Sequence, residues 1–222
     1  YAAIAVNPKE CDDLDLANEV IDGMDEYLDH PRCVAMGEIG MNMNTENEIA
    51  CFRRQLLIAE ERAMPVVIHL PHIPKQEGAR IAVDIIKAEG VTEERIIIDH
   101  NTEETMAIGR ETDCWLGLTV YPYSKLNPER VSMILREWGT EKVMIAGSAD
   151  WGVSDPLSVP KTARLMVERG IPEEQVTTVT YANALAVYGQ SGQMEEEHWE
   201  NRAKIDQRVL YEGNSVLRGQ DP

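Results

Sequence analysis

The chain has 222 residues, with 39 Asp and Glu against 21 Lys and Arg and a formal net charge of -18. That length suits one α/β-barrel-sized domain or one open-sheet domain. The acidic balance argues against a large nucleic-acid footprint, which needs basic surface to displace counterions, although bound divalent cations reverse the sign locally and leave a metal-assisted nuclease open.

In chain order, residues 1–6 form an apolar run that stops at Asn7-Pro8. Residues 13–29 then carry Leu14, Ala17, Val20, Ile21, Met24 and Leu28 at helical spacing. A strand is predicted over 34–40. Thr45 followed by Glu48 has the form of a capping box and opens a helix over 46–63. A strand at 65–70 leads to a helix over 78–89 that Gly90 ends. A strand at 95–99, a helix near 102–111 and a strand at 114–120 follow. A helix over 127–138 is closed by Gly139, then come a strand at 143–149, a helix near 160–169 and a last core helix over 180–188.

Six strands separated by helices imply right-handed βαβ units and a parallel sheet. The strands are nearly continuous apolar runs, as expected when both faces are covered. Residues 190–222 break this rhythm: 194–209 is polar and charged, and 208–218 has a hairpin-like turn at Gly213-Asn214. The expected division is a core unit over 1–189 and a charged extension over 190–222. The chain opens on Tyr1 inside a strand-like run, so it reads as N-terminally incomplete.

The four cysteines, Cys11, Cys33, Cys51 and Cys114, form no C-x-x-C pair. Reduced thiols and a cytoplasmic location are expected. No run approaches the ~20 apolar residues of a membrane span, and no secretory signal is visible. Nucleophile-elbow, P-loop and dinucleotide fingerprints are absent.

Four residues stand at the downstream ends of predicted strands: Glu38, His69, His100 and Asp150. Parallel strands bring those ends to one face. Two imidazoles and two carboxylates meeting there make a metal site of borderline-to-hard character. A buried Glu38 in a strand needs a partner or a metal; a structural ion-pair network is the competing reading. His72 lies just beyond His69 past Pro71, on the substrate side of the loop, and Trp151 could wall the same pocket. Strand alternation from His100 points Asp99 to the opposite face, where it braces a helix. Gly117 and Gly147 are strand glycines that admit a close approach. His30 and His198 read as surface residues.

These residues resemble the TatD family of metal-dependent hydrolases within the amidohydrolase-like TIM (β/α)8 barrels. Gly37-Glu38-Ile39-Gly40 is similar to the family's Gly-Glu-Ile-Gly signature, whose Glu bridges two metals. Pro65-Val-Val-Ile-His69, Ile98-Asp99-His100 and Ser148-Ala149-Asp150 are similar to the motifs ending its fifth, sixth and eighth strands, and Asn183-Ala184 to the Asn-Ala of its closing helix. The resemblance spans roughly residues 1–189.

The chain departs from the family pattern in four places. It contains no His-x-His, which the family carries on its first strand, so its six strands would be strands three to eight of the barrel. Asn42 stands where Asp is frequent. His69-Leu-Pro-His72 replaces His-Ser-Arg and removes an Arg able to hold phosphate. Asn7-Pro8 replaces His-Pro.

The resemblance implies divalent metal ions (Zn, Mg or Mn), two in the complete enzyme. Glu38 would bridge them, His69 and His100 would hold one, and Asp150 would bind the other and move the proton. The expected substrate is a small molecule with an ester, amide or phosphoester bond. The alternatives are a deoxyribonuclease, disfavoured by charge, and a non-catalytic metal-binding or scaffolding protein. No membrane partner is expected, and the oligomeric state is left open.

Overall fold

The computed structural model describes residues 1–148 and 154–194. Six parallel strands form one sheet: β1 Ala2–Ile4, β2 Cys33–Gly40, β3 Val66–His69, β4 Ile96–Ile98, β5 Trp115–Val120 and β6 Val143–Gly147. Their spatial order is their sequence order. Repeated right-handed crossovers that never reverse direction put every connecting helix on the same side, which is the winding of a barrel and not of a doubly wound open sheet. β1 and β6 are the two edges of the described sheet.

The two sheet faces carry two separate apolar clusters. Met36, Ile39, Ile68, Ile98, Leu116, Leu118 and Ile145 face outward and join the main core with the helices. Ala35, Val67, Ile97 and Met144 face inward. Val187, with Tyr188 beside it, packs on this inner face. Both belong to α9, numbered after the helices α1 Leu14–Asp22, α2 Asp25–Leu28, α3 Glu46–Glu61, α4 Lys75–Glu89, α5 Met106–Gly109, α6 Pro128–Trp138, α7 Ser158–Glu168, α8 Glu173–Thr177 and α9 Asn183–Tyr188. Asn183 pins that helix to the foot of β6, donating from Nδ2 to the Val143 carbonyl at 2.6 Å and the Thr140 carbonyl at 3.0 Å.

Several helices differ from the sequence expectation, each for a local reason. The helix expected over 13–29 is two helices, because Gly23 caps α1 with bonds to the Glu19, Val20 and Ile21 carbonyls. α4 begins at Lys75 directly after Pro74, three residues before the expected start. Gly78 is not a boundary but a packing requirement: a Cβ there would sit 2.3 Å from Pro71 Cγ. The helix expected near 102–111 shrinks to α5, because Thr105 turns back to accept from the Thr102 N–H at 3.1 Å and donate to Asn101 Oδ1 at 3.0 Å. The last core helix starts earlier than expected, at Glu173, and its Thr178–Ala182 stretch is a π-helix. The capping box forms as read, Thr45 accepting from the Glu48 N–H. The Glu48 carboxylate also accepts from the Asn42 and Met43 N–H groups and so ties down the loop that follows β2.

Gln55 joins the chain after β1 to α3. Its side chain, 1% exposed, accepts from the Val6 N–H at 2.8 Å and donates to the Val6 carbonyl at 3.1 Å. Gln55→Ala strands both groups in the core. The expected cost is about 3 kcal/mol, since each unsatisfied buried group costs ~1–3 kcal/mol, read as a lower denaturant midpoint at unchanged slope.

All four cysteines are free and buried. Burial, reinforced by the neighbouring Cys51 thiol, pushes Cys11 up to about 12, and burial takes Cys114 to about 12 as well. Thiolates are the species that attack disulfide reagents, and burial shields all four sulfurs from such reagents. The native protein at pH 8 is therefore expected to react slowly at all four positions, and the denatured protein to release four equivalents at once. Rapid native labelling would contradict this packing.

Candidate metal centre

The downstream ends of β2, β3 and β4 converge as expected. β2 and β3 pair with a register shift between Gly37 and Ile39, leaving Glu38 out of the ladder. Gly37 allows this close pairing, since a Cβ there would lie 2.6 Å from Val67 Cβ. His69 is the last residue of β3 and shares the inner face with Val67 by alternation. His100 follows β4 with φ +62°, a left-handed backbone that turns its side chain back toward the cleft.

Glu38 Oε1 lies 3.1 Å from His100 Nε2, and Glu38 Oε2 lies 3.4 Å from His69 Nδ1. The two imidazole rings meet edge to face with centroids 4.7 Å apart. One ligand atom from each of the three residues falls within 4.8 Å of the others. The histidine side chains are 5% and 6% exposed and Glu38 is 34% exposed, open to a cleft of about 480 Å³. His72 lines that cleft.

Asp150 and Trp151 lie outside the described residues. Gly147, the last residue of β6, and Ser148 after it line the cleft. His30 is exposed and accepts from the Arg32 N–H; His198 lies outside the described residues.

Burial works against a charged Glu38, but its contacts with His100 and His69 outweigh this and hold its carboxyl well below the usual range. Burial pushes the His69 pKa down, against the opposing pull of Glu38. Glu38 is thus held in the ionised form that a metal ligand needs, and the lowered His69 pKa favours the neutral imidazole that one needs.

Asp99 corrects the sequence reading. It does not turn away to brace a helix. Counted from Val67 and Ile97 it belongs to the inner face, and His100 is the residue that leaves the alternation, through its positive φ. Asp99 Oδ1 accepts from Thr119 Oγ1 at 3.0 Å and from the His100 N–H at 2.6 Å. Thr119 Oγ1 lies 2.7 Å from His100 Nδ1. With the Thr119 hydroxyl donating to Asp99 it accepts from Nδ1–H, and this chain fixes the tautomer that leaves the Nε2 lone pair facing Glu38. Gly117 makes room, since a Cβ there would lie 2.2 Å from Asp99 Oδ1. The alternation of β5, with Gly117 and Thr119 on one face, was the signal for this support.

Two lysines also escaped the sequence reading. Lys75 Nζ donates to the His100 carbonyl at 2.8 Å, and Lys125 Nζ lies 3.2 Å from His100 Nε2. Burial, eased by the charge of Asp99, takes the Lys75 ammonium down to about 8.

His69 provides the test of fit. Both its ring nitrogens are buried without a hydrogen bond. Such a group costs free energy unless something else satisfies it. A carboxylate and two imidazoles are an ordinary donor set for a borderline divalent ion, so these residues fit one.

The TatD related DNase family profile matches residues 1–189. An uncharacterized metal-dependent hydrolase of Methanocaldococcus jannaschii is 31% identical over 171 residues, 76% of this chain and 66% of that protein, just under two thirds of its length. An uncharacterized metal-dependent hydrolase TatD of Mycobacterium tuberculosis is 24% identical over 213 residues, covering 85% of this chain and 76% of that one. In fold, the chain is similar to the crystal structure of a TatD-like protein from Archaeoglobus fulgidus, with TM-score 0.64 and 24% identity over 84% of this chain and 70% of the other. The family match covers the whole described sheet and its three clustered ligand candidates, and the chain belongs to the TatD related DNase family, among relatives named as metal-dependent hydrolases.

Proposed function

We propose that the cleft is the reaction site of a TatD-type hydrolase in which Glu38, His69 and His100 hold a divalent ion of the Zn, Mg or Mn class. The observation that most supports this is His69, whose two buried ring nitrogens lack any hydrogen bond beside a depressed carboxylate. A divalent ion supplies a Lewis acid that polarises the scissile group and brings a water's pKa toward neutrality. The residues of the chain do the rest. Asp99 and Thr119 orient His100. Asp150 would accept the proton of the attacking water and return it to the leaving group, as general base and then acid. His72 and Trp151 would border the substrate.

In this reading the unit spans residues 1–189, 190–222 is an extension to it, and the six strands correspond to strands three to eight of a TIM barrel. A second ion would be held by Glu38, Asp150 and a His-x-His, a motif that these 222 residues do not contain. The 222-residue chain by itself then takes up one ion. The substrate is a small molecule with an ester, amide or phosphoester bond, and the buried reduced thiols favour a cytoplasmic setting. Among the described residues, no helix is long and apolar enough to cross a membrane.

A deoxyribonuclease is the second reading, favoured by the family match and by Lys75 and Lys125 beside the cluster despite the acidic total charge. The test is turnover of chromogenic ester, amide and phosphodiester substrates and of DNA, by protein stripped with a chelator and reloaded with Zn, Mg or Mn. Metal-dependent turnover of one class is the expected result. Turnover indifferent to the chelator would contradict the metal assignment. Metal uptake with no turnover in an upstream-extended chain would favour a scaffolding role instead.

A further inference from the structure

The described residues that line the metal cleft all carry polar side chains, Gly147 apart. Its rim is different. Tyr123, Ile73 and Met43 are 83%, 80% and 65% exposed, more than any other large apolar side chain among the described residues. All three stand at the downstream face of the sheet, on the same side as the metal ligand candidates. Met43 comes shortly after β2, Ile73 shortly after β3 and Tyr123 shortly after β5.

The three loops surround one opening. Asn44 Nδ2 donates to the Pro74 carbonyl at 3.5 Å, so the residues next to Met43 and Ile73 touch. His72 and Ser124, the residues next to Ile73 and Tyr123, both line the cleft. Each loop is also held in shape. The Met43 N–H donates to the Glu48 carboxylate at 3.0 Å. Ile73 lies between Pro71 and Pro74, whose rings restrict the backbone around it. The Tyr123 loop is closed at its base, the Tyr121 N–H donating to the Leu126 carbonyl at 3.1 Å and the Leu126 N–H to the Thr119 carbonyl at 3.2 Å. Side chains carried on restrained loops give up less freedom when a ligand covers them. One exposed apolar side chain needs no explanation, but the three most exposed gathered around a polar cleft do.

We propose that Met43, Ile73 and Tyr123 form an apolar rim that receives the non-reacting end of the substrate. The substrate class follows from the division of the site. It is an amphipathic small molecule, with a scissile ester, amide or phosphoester that enters the polar cleft and an aryl or alkyl group that stays at the rim. Tyr123 offers a flat ring, Ile73 a branched aliphatic surface and Met43 an adaptable thioether. Three side chains fall well short of the ~800 Å² that each partner buries in a stable protein pair. Their continuity with the cleft makes a cleft-bound ligand the occupant. The net charge of -18 works against a nucleic-acid strand across the same mouth. This substrate class rests on the proposed hydrolase reading, whereas the affinity of the rim for an apolar group does not.

The experiment is a titration of zinc-loaded protein with acetohydroxamate and benzohydroxamate, which share a zinc-binding head and differ in the apolar group attached to it. Benzohydroxamate is expected to bind about 10-fold tighter, less than full burial of its ring would give. In Ile73→Ser and in Tyr123→Ser the preference should fall to about 3-fold or less. Both side chains are largely exposed, so the fold does not depend on them, and a thermal melt of each variant checks this. A preference absent from the wild type, or surviving in both folded variants, would overturn the proposal. Failure to take up zinc, or to bind either hydroxamate when loaded, counts against the hydrolase reading alone. The rim is then read on metal-free protein by saturation-transfer NMR, where the benzohydroxamate ring should receive saturation from the wild type and lose most of it in both variants. No transfer in the wild type, or equal transfer in all three proteins, would overturn the rim there too. A single-stranded DNA oligonucleotide is the last probe, and weak binding indifferent to both variants is expected. Tight binding that falls in Tyr123→Ser and not in Ile73→Ser would make the rim a base-stacking platform and overturn the small-molecule assignment.

Discussion

His69→Ala is expected to weaken zinc binding by more than about 100-fold, beyond the 10–100-fold that loss of a mere supporting residue costs. The side chain is one of three ligand candidates, and its removal leaves Glu38 and His100 as a two-point site. The thermal melt gives an independent readout. An ion that binds only the folded state stabilises it by about 2.7 kcal/mol at 100 times its dissociation constant. The wild-type melting temperature should therefore climb with zinc, and that of the variant should not. Without metal the order changes, because alanine removes two unsatisfied buried nitrogens. The metal-free variant should lose less stability than an ordinary core truncation, which typically costs ~2–5 kcal/mol. Equal zinc-induced stabilisation of both proteins would contradict a role for His69 as ligand.

Asp150→Asn carries the second large effect. In an upstream-extended protein that turns over a substrate, the change keeps the side chain's size and removes its ability to take up and release a proton. Loss of a general acid–base group costs about 10²–10⁴-fold in rate. The loss should fall on kcat, with KM little changed, and zinc uptake by Glu38, His69 and His100 should persist. Near-full turnover with metal bound would remove Asp150 from the proton path.

The strands were legible because each is an apolar run bounded by a helix cap or a turn, and burial on both faces demands that composition. Glu38 and His69 were legible for the opposite reason, as polar residues at the ends of runs that otherwise exclude them. Asp99 was not. Alternation was counted from His100, but the φ of +62° at His100 breaks the period two residues after β4 ends. A left-handed His has no signature in the sequence beyond its own identity. Gly78 misled because a glycine forced by Pro71 looks the same in sequence as one that ends a helix. The Lys75–Lys125 pair was hidden by distance along the chain, since residues 50 positions apart carry no mutual period. Only the crossover geometry brings them to either side of His100.

The most direct test of the metal centre is anomalous diffraction at the zinc edge from crystals soaked in zinc. The expected result is a single strong peak within about 2.0–2.2 Å of a His69 nitrogen, His100 Nε2 and a Glu38 oxygen, the distances of ordinary zinc–nitrogen and zinc–carboxylate coordination. A zinc-free cluster, with ions found only on the acidic surface, would contradict the metal site and the hydrolase mechanism built on it.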